Sequence, residues 1–380
     1  QYACDYSCEN QVMPLARIHR FAAAAPDDMS GIEQAIIAGS IDPAGIIAVF
    51  GKTEGNGLVN DFSRGFAVQS LRLLLEKHIT ADQATSVCSV MSGGTEGGLA
   101  PHWLVLERSE APGSAGPALA IGRAHTADLP AEDLGRPEQA DMVAVGVTEA
   151  MKDAGISDPA DVHFVQIKCP LLTAQRITEA ESRGQSVALH DTLKSMGASR
   201  GASALGVGVA LGEIDRTEIT QDRIVNDPSL WSGRASTSSG IELMNHEIVV
   251  LGMSDTWSGP LVIDHAVMEN GIDIQPVRAA LARLGLNAEG QLSPTQGAHL
   301  IALLAKAEAS RSGMIGEKRH TMNDDSDISS TRHARGFVAG ALGGLVGHTE
   351  IFVSGGAEHQ GPDGGGPVAV IVEKSQGKQS

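Results

Sequence analysis

Three serines in this chain stand in one small-residue setting: Ser92-Gly93-Gly94-Thr95-Glu96, Ser238-Ser239-Gly240-Ile241-Glu242 and Ser354-Gly355-Gly356-Ala357-Glu358, each reading Ser-x-Gly-x-Glu. Upstream of each serine a hydroxyl residue precedes an arginine, in Ser63-Arg64, Ser199-Arg200 and Thr331-Arg332, and upstream of each arginine a lysine closes an apolar run, at Lys52, Lys168 and Lys306. The chemistry open to such a set is nucleophilic attack by serine with lysine as base. A serine hydroxyl is inert at neutral pH until a neighbouring base takes its proton. Lysine can do so only when burial or nearby cations bring its pKa from about 10.4 towards 7. An arginine supplies part of that field and also offers several donors to a carbonyl or an anion. The glycine after a serine lets a main-chain N–H approach a developing oxyanion.

Each anchor alone is an ordinary turn, helix cap or surface lysine. Lys, Arg and Ser nevertheless recur three times in the same order, at spacings of 12 and 28, 32 and 38, and 26 and 22 residues. Turns do not need lysine, and caps do not need arginine. Three copies meeting at one axis would form a pocket of pseudo-threefold symmetry, whose natural ligand is a flat ring of carbonyls and N–H groups. The lysines are not equivalent: Lys52 and Lys306 have an acid two residues on, Glu54 and Glu308, whereas Lys168 is followed by Cys169 and Pro170. A nearby acid holds lysine charged, so Lys168 is expected to be the base and Ser238 its nucleophile.

The elements that must carry these anchors make a mixed α/β chain of three units, since 380 residues divided by three gives about 127 each. The expected units are 1–110, 117–255 and 261–380. In the first, Ser30 and Glu33 read as a capping box for a helix through Ile37, and Gly45–Phe50 reads as a buried strand. Ser63 reads as the N-cap of a helix with Phe66, Leu71, Leu74 and Leu75 on one side, and Ser109–Gly116 as a linker. The second unit is expected to contain strands at Ala118–Ala124, Val162–Ile167 and Ile248–Gly252, with helices near Pro137–Asp153 and Arg200–Gly212. The run before Lys306 reads as helix, a departure from the other two units.

With 3% aromatic residues, the core must be built from Ala, Val, Leu and Ile. A net charge of −18 disfavours nucleic acid and anionic membrane surfaces. No run is long and apolar enough to span a bilayer, the chain opens on Gln1 without a basic-then-apolar leader pattern, and four cysteines fit a reducing, cytoplasmic setting.

Other motifs lack essential parts. Gly51-Lys52-Thr53 misses the upstream glycine of a P-loop, and Gly206-Val207-Gly208 falls inside a helix instead of at a strand-to-helix turn. His163, His320, His333 and His359 show no metal-ligand spacing, and Asp324, Asp325 and Asp327 lack the Gly and closing Glu of a calcium loop. The closing segment Ala357–Gly366 is a different case, because its compact Gly/Pro backbone could aim several carbonyls at a hard cation.

At these residues the chain resembles the cyanuric acid hydrolase/barbiturase family of ring-opening amidohydrolases. The matching segments are GKTEGNGLVNDFSR, MSGGTEG, DVHFVQIKCPLLT, SRGASALG, DSDISSTRHAR and VSGGAEHQGPDGGGP. The resemblance implies three similar units, each a four-stranded sheet with helices, about a pseudo-threefold axis with a central active site. It implies a substrate cage of Arg64, Ser92, Gly93, Arg200, Ser238, Ser239, Arg332, Ser354 and Gly355, with Lys168 and Ser238 as base and nucleophile and Lys52 and Lys306 as the other dyad lysines. It further implies a structural Mg²⁺ or Ca²⁺ on the Glu308 carboxylate and main-chain oxygens of Ala357, Gln360, Gly361, Pro362 and Gly365, no cofactor for the chemistry, and a homotetramer. The implied reaction opens cyanuric acid to carboxybiuret, which loses CO₂ to give biuret. SRGASALG and STRHAR resemble cyanuric acid hydrolases more than barbiturases. The alternatives are ring opening of barbituric acid and a silent ring-binding protein on the same scaffold.

Overall fold

The computed structural model describes residues 11–113 and 116–374. Fourteen strands and nine α-helices follow one another among these residues. The strands are β1 (Gln11–Ala22), β2 (Ile46–Lys52), β3 (Cys88–Ser92), β4 (His102–Gly113), β5 (Ala118–His125), β6 (Val162–Cys169), β7 (Ala235–Ser239), β8 (Glu247–Ser254), β9 (Leu261–Met268), β10 (Leu300–Ala307), β11 (Met314–Ile315), β12 (Lys318–Arg319), β13 (Phe352–Gly355) and β14 (Gly366–Glu373). The helices are α1 (Ser30–Ile37), α2 (Phe62–Leu75), α3 (Ala81–Thr85), α4 (Pro137–Asp153), α5 (Ala174–Ser182), α6 (Thr192–Ala210), α7 (Gln275–Arg283), α8 (Pro294–Gly297) and α9 (Ser330–Val346).

Apart from the β11–β12 hairpin, the strands form three four-stranded sheets, ordered β1-β4-β2-β3, β5-β8-β6-β7 and β9-β14-β10-β13. Read along the chain, all three have the order first, last, second, third. In each, the second and third strands run parallel and the remaining pairings are antiparallel. Even an irregularity repeats: the ladder between second and last strand skips one residue near its start, at Ile47, His163 and Ile301. A bulge retained at one place in three sheets marks a common design.

One apolar cluster draws on all three sheets, through Phe50 and Leu104, Phe164 and Leu251, and Leu304 and Ile371, so the sheets meet face to face at the centre. Phe50 and Phe352 touch there with ring centroids 5.8 Å apart. The helices cover the outer faces. Ile32, Ile36, Leu71 and Leu74 seal the first sheet against Val49 and Val105, and Val277, Leu281, Val338 and Leu342 seal the third. The few aromatic side chains are replaced by close backbone approach. At Gly122 on β5 a Cβ would lie 2.1 Å from the Ala150 carbonyl oxygen of α4, and at Gly206 on α6 it would lie 2.4 Å from the Ala140 oxygen.

Several local expectations change. Ser30 does not cap α1; Met29 holds that position without a side-chain bond, and Asp28 accepts from the Ser30 N–H and hydroxyl. Asp61, not Ser63, caps α2, which turns Phe66 out to half exposure while Leu71, Leu74 and Leu75 stay buried. Ser109–Gly113 is no linker, because those residues finish β4 against Gln11–Leu15 of β1. The run into Lys306 is strand β10, so the third unit follows the other two after all. Its all-apolar LIALLA pattern lacks the alternation that separates a strand buried on both faces from a buried helix. Cys88 and Cys169 are buried thiols, and Cys4 and Cys8 lie outside the described residues.

Gly122→Ala is expected to destabilise by about 1–3 kcal/mol through overpacking of α4 on β5. Gly340→Ala, in α9 with nothing within 4 Å of the added carbon, is expected to stabilise by about 0.5–1 kcal/mol. Paired denaturant midpoints measure both, and equal midpoints would contradict the packing described.

Candidate functional site

The parallel ladder places each lysine beside its serine. Lys52 pairs with Ser92 across β2 and β3, Lys168 with Ser238 across β6 and β7, and Lys306 with Ser354 across β10 and β13. All three lysines are at most 1% exposed. Each ammonium also reaches into the next unit, to the carbonyl of the residue just before that unit's serine. Lys52 Nζ donates to Val353 O (2.7 Å), Lys168 Nζ to Met91 O (2.6 Å) and Lys306 Nζ to Thr237 O (2.8 Å). Three identical inter-unit steps close a ring, which is the pseudo-threefold axis in atomic terms.

The glutamates of the Ser-x-Gly-x-Glu runs form a second ring. Glu96 pairs with Arg335, Glu242 lies 3.6 Å from Arg64, and Glu358 takes Arg200 through two bonds of 2.6 and 2.7 Å. Every pair joins two units, in the same cyclic sense as the lysines. In the sequence these glutamates close the run and carry no sign of a role. Their task is to neutralise buried guanidinium groups that otherwise carry a large desolvation cost.

The chain brings Arg64, Ser92, Gly93, Lys168, Arg200, Ser238, Ser239, Ser354 and Gly355 around one small cavity of about 20 Å³. Gly57, Met196 and Arg200 also border a wider cleft of about 460 Å³, the open side of the site. Lys52 and Lys306 stand behind their serines, donating to Ser92 Oγ (3.1 Å) and Ser354 Oγ (3.2 Å). At Gly93 packing calls for glycine, since a Cβ there would lie 1.6 Å from Asp61 Oδ2.

Arg332 is not in this group. Its side chain is one-third exposed, contacts Glu96 Oε2 at 3.0 Å and lines a separate cleft with Glu54 and His333. Arg335, one helical turn later and 3% exposed, takes the third arginine position. Arg64 and Arg332 each stand third in their helix and each follows a hydroxyl residue, so the hydroxyl-Arg pair does not separate Arg332 from Arg335. The useful signal is the following glycine, in Arg64-Gly65, Arg200-Gly201 and Arg335-Gly336. At Gly201 and Gly336 the neighbouring unit's loop comes within 3.0–3.2 Å of where a Cβ would stand.

The charge reasoning for Lys168 also changes. Glu54 is exposed, and Glu308 and Glu358 raise the Lys306 pKa by less than burial and Arg200 lower it. Burial, reinforced by Arg335, drives Lys52 well below the usual lysine range, and burial with Arg200 brings Lys306 to about 7. Burial lowers Lys168 as well, but there Glu242 opposes it from 2.9 Å. Lys168 is therefore the lysine with a carboxylate in contact, the reverse of the expectation. The Ser238 hydroxyl bonds to Ser354 Oγ at 2.8 Å, whereas the other two serines bond to their own lysines.

The expected cation residues are close together in part. Glu308 Oε2 accepts the Ala357 N–H at 2.6 Å, and Glu308, Ala357, Gly361 and Pro362 border a cavity of about 20 Å³ together with Glu358 and Asp363. Gln360 and Gly365 belong to the same loop without lining that cavity; the Gln360 side chain accepts from Thr237 N–H. Two neighbouring carboxylates, Glu308 and Glu358, bordering one small cavity with a Gly/Pro loop are a donor set suited to a hard cation.

A family model described as amidohydrolase ring-opening protein matches residues 17–373. Cyanuric acid amidohydrolase of Azorhizobium caulinodans is 65% identical over 367 residues, covering 96% of this chain and all of that protein. The protein of the same name from Bradyrhizobium sp. (strain ORS 375) is 58% identical, covering 95% and 98%. A crystal structure of the hydrolase from A. caulinodans superposes with a TM-score of 0.89 at 63% identity, covering 96% and 100%.

Arg335→Ala is expected to lower kcat/KM on a cyclic imide about 100-fold, because it removes a buried charged donor and leaves Glu96 with only the partly exposed Arg332. Arg332→Ala is expected to cost less than about threefold. Steady-state kinetics on the two variants decide, and a larger loss at Arg332 would restore it to the site.

Proposed function

The chain belongs to the ring-opening amidohydrolase family, and on that premise we propose that it hydrolyses cyanuric acid, with Ser238 as nucleophile and Lys168 as general base. The observation that carries this reading is the closed ring of three lysine–serine ladders and three buried arginines around one cavity. A flat ring of three carbonyls alternating with three N–H groups presents the same face to each unit, and each arginine can donate to one carbonyl. In the reaction, Lys168 takes the Ser238 proton as Oγ attacks a ring carbonyl. The ring C–N bond then breaks with proton return to the leaving nitrogen, and water releases carboxybiuret, which loses CO₂ to give biuret.

Support for the second unit as the reacting one comes from Glu242. When lysine accepts the serine proton it becomes an ammonium in a buried site, and a carboxylate 2.9 Å away stabilises that charge. Nucleophile, base and supporting acid then follow the logic of a triad. Ser92 and Ser354, with Gly93, Ser239 and Gly355, remain to hold the ring while one carbonyl reacts.

The proposal includes a structural Mg²⁺ or Ca²⁺ held by Glu308 and the oxygens of the 357–365 loop. When bound, such an ion supplies positive charge beside the Glu308 and Glu358 carboxylates and does no chemistry on the substrate. This chain's own part is to hold Glu358, in the same loop, against Arg200. A cytoplasmic homotetramer completes the reading. The exposed apolar row Phe62, Phe66 and Leu73 on α2 supports association between chains.

Purified protein is expected to consume cyanuric acid, followed by loss of ring absorbance; turnover of barbituric acid alone would make it a barbiturase, and binding without turnover a silent relative. Ser238→Ala is expected to lower kcat by at least about 10³-fold, against a smaller loss for Ser92→Ala.

Lys168 works as a base only when neutral, so kcat/KM should rise with pH through its pKa. Glu242→Gln removes the group that raises that pKa and should shift the rising limb to lower pH. An unmoved limb would exclude Lys168 as the titrating base.

A further inference from the structure

A cluster outside the central cavity joins the second and third units. His163 is the residue skipped at the β6 bulge, where the other two units carry Ile47 and Ile301, and a bulge redirects a side chain. Here the imidazole meets Asp264 and His265 of β9. His163 Nδ1 lies 2.9 Å from His265 Nδ1 and 3.6 Å from Asp264 Oδ1, and one ligand atom from each of the three residues falls within 4.8 Å of the others. Their sequence spacing gave no sign of this, because 101 residues separate His163 from Asp264.

Two nitrogens and a carboxylate oxygen bound to zinc at about 2.0–2.2 Å in a tetrahedron stand about 3.3–3.5 Å from one another. The observed separations bracket that edge. The two imidazole planes are inclined at 74°, so the rings do not stack and their nitrogens approach one point from different directions. Asp264 is already oriented, with Oδ2 accepting from Arg283 Nε (2.5 Å) and Oδ1 from the His265 N–H (2.7 Å). Outer partners of this kind fix a ligand's direction. Arg234, the other neighbouring cation, is neutralised by Glu213 at 3.0 Å. His163 and Asp264 keep 19% and 13% side-chain exposure, enough for an ion to enter from water.

We propose that His163, Asp264 and His265 form a binding site for a divalent transition ion of the zinc class that fastens the second unit to the third. A fourth position stays open to water, as in three-ligand zinc sites. His163 lies five residues along β6 from Lys168, about 16 Å at 3.3 Å per residue, so the ion's role is structural and separate from the hydrolytic centre. The oxygen-rich loop around Glu308 suits a harder cation, and the two sites can be filled independently.

The test is titration of the full chain with Co²⁺, and then Zn²⁺, in saturating Mg²⁺. The expected result is a visible d–d absorption band reaching its limit at one Co²⁺ per chain, removed by Zn²⁺. Zinc at one hundred times its Kd should raise the melting temperature by about 3 °C. His163→Asn and Asp264→Asn should each abolish band and shift while keeping hydrolytic activity, which shows that they are folded, and Cys4→Ser/Cys8→Ser should keep both. No band in the parent chain, a band surviving in both His163→Asn and Asp264→Asn, or a thiolate-to-cobalt band lost in the cysteine variant would each overturn the site.

Discussion

Six basic side chains converge on one small centre, and the cost of keeping them charged there governs the rest of the molecule. Arg64, Arg200 and Arg335 cannot lose their protons, so each must be met by a carboxylate. Glu96, Glu242 and Glu358 supply these, always from another unit. The lysines have a different way out, since burial beside guanidinium groups favours the neutral amine. The same electrostatic pressure therefore favours neutral lysines and binds the three units to one another. A single unit could not satisfy it alone, because its own glutamate points at a neighbour's arginine.

Position follows from the sheets. In a parallel ladder, residues at the ends of two adjacent strands stand side by side whatever the connection between them, so Lys52–Ser92, Lys168–Ser238 and Lys306–Ser354 keep one geometry. The loops and helices outside are free to differ in length. The unequal spacings of the anchors are the trace of that freedom, and the repeated bulge and strand order are the trace of what cannot vary.

Much of this was legible in the sequence where residue identity alone carries the information. The serine turns, the strands closed by Lys52 and Lys168 and the threefold order survive in the structure because small residues and buried lysines have few other reasons to recur. What failed depended on register or on distant partners. Arg332 and Arg335 sit in one helix one turn apart, and only the packing of α9 on its sheet decides which faces inward. Glu242 lies 74 residues beyond Lys168, so a search for acids close in sequence to each lysine selected Glu54 and Glu308 and missed the carboxylate in contact. Likewise His163 gave no metal signal along the chain, since its partners arrive from a different sheet.

A threefold frame poses one further problem, because hydrolysis needs a single nucleophile while symmetry offers three. The asymmetry enters through small differences in a common plan. Glu96 and Glu358 are each held by hydrogen bonds from arginine, whereas Glu242 sits 3.6 Å from Arg64 and turns to Lys168 at 2.9 Å. Lys168 is thereby drawn away from its serine, and Ser238 shares a hydrogen bond with Ser354. Two units keep the lysine–serine bond that fixes a hydroxyl for binding, and the third keeps a serine free of its lysine and a lysine supported by an acid. A ligand carbonyl entering between Arg64 and Ser238 would compete with Glu242 for Arg64, leaving the carboxylate to Lys168 at the moment that lysine gains charge. The threefold plan is common to the three units, and the Glu242 carboxylate, turned from Arg64 to Lys168, is what sets the second unit apart.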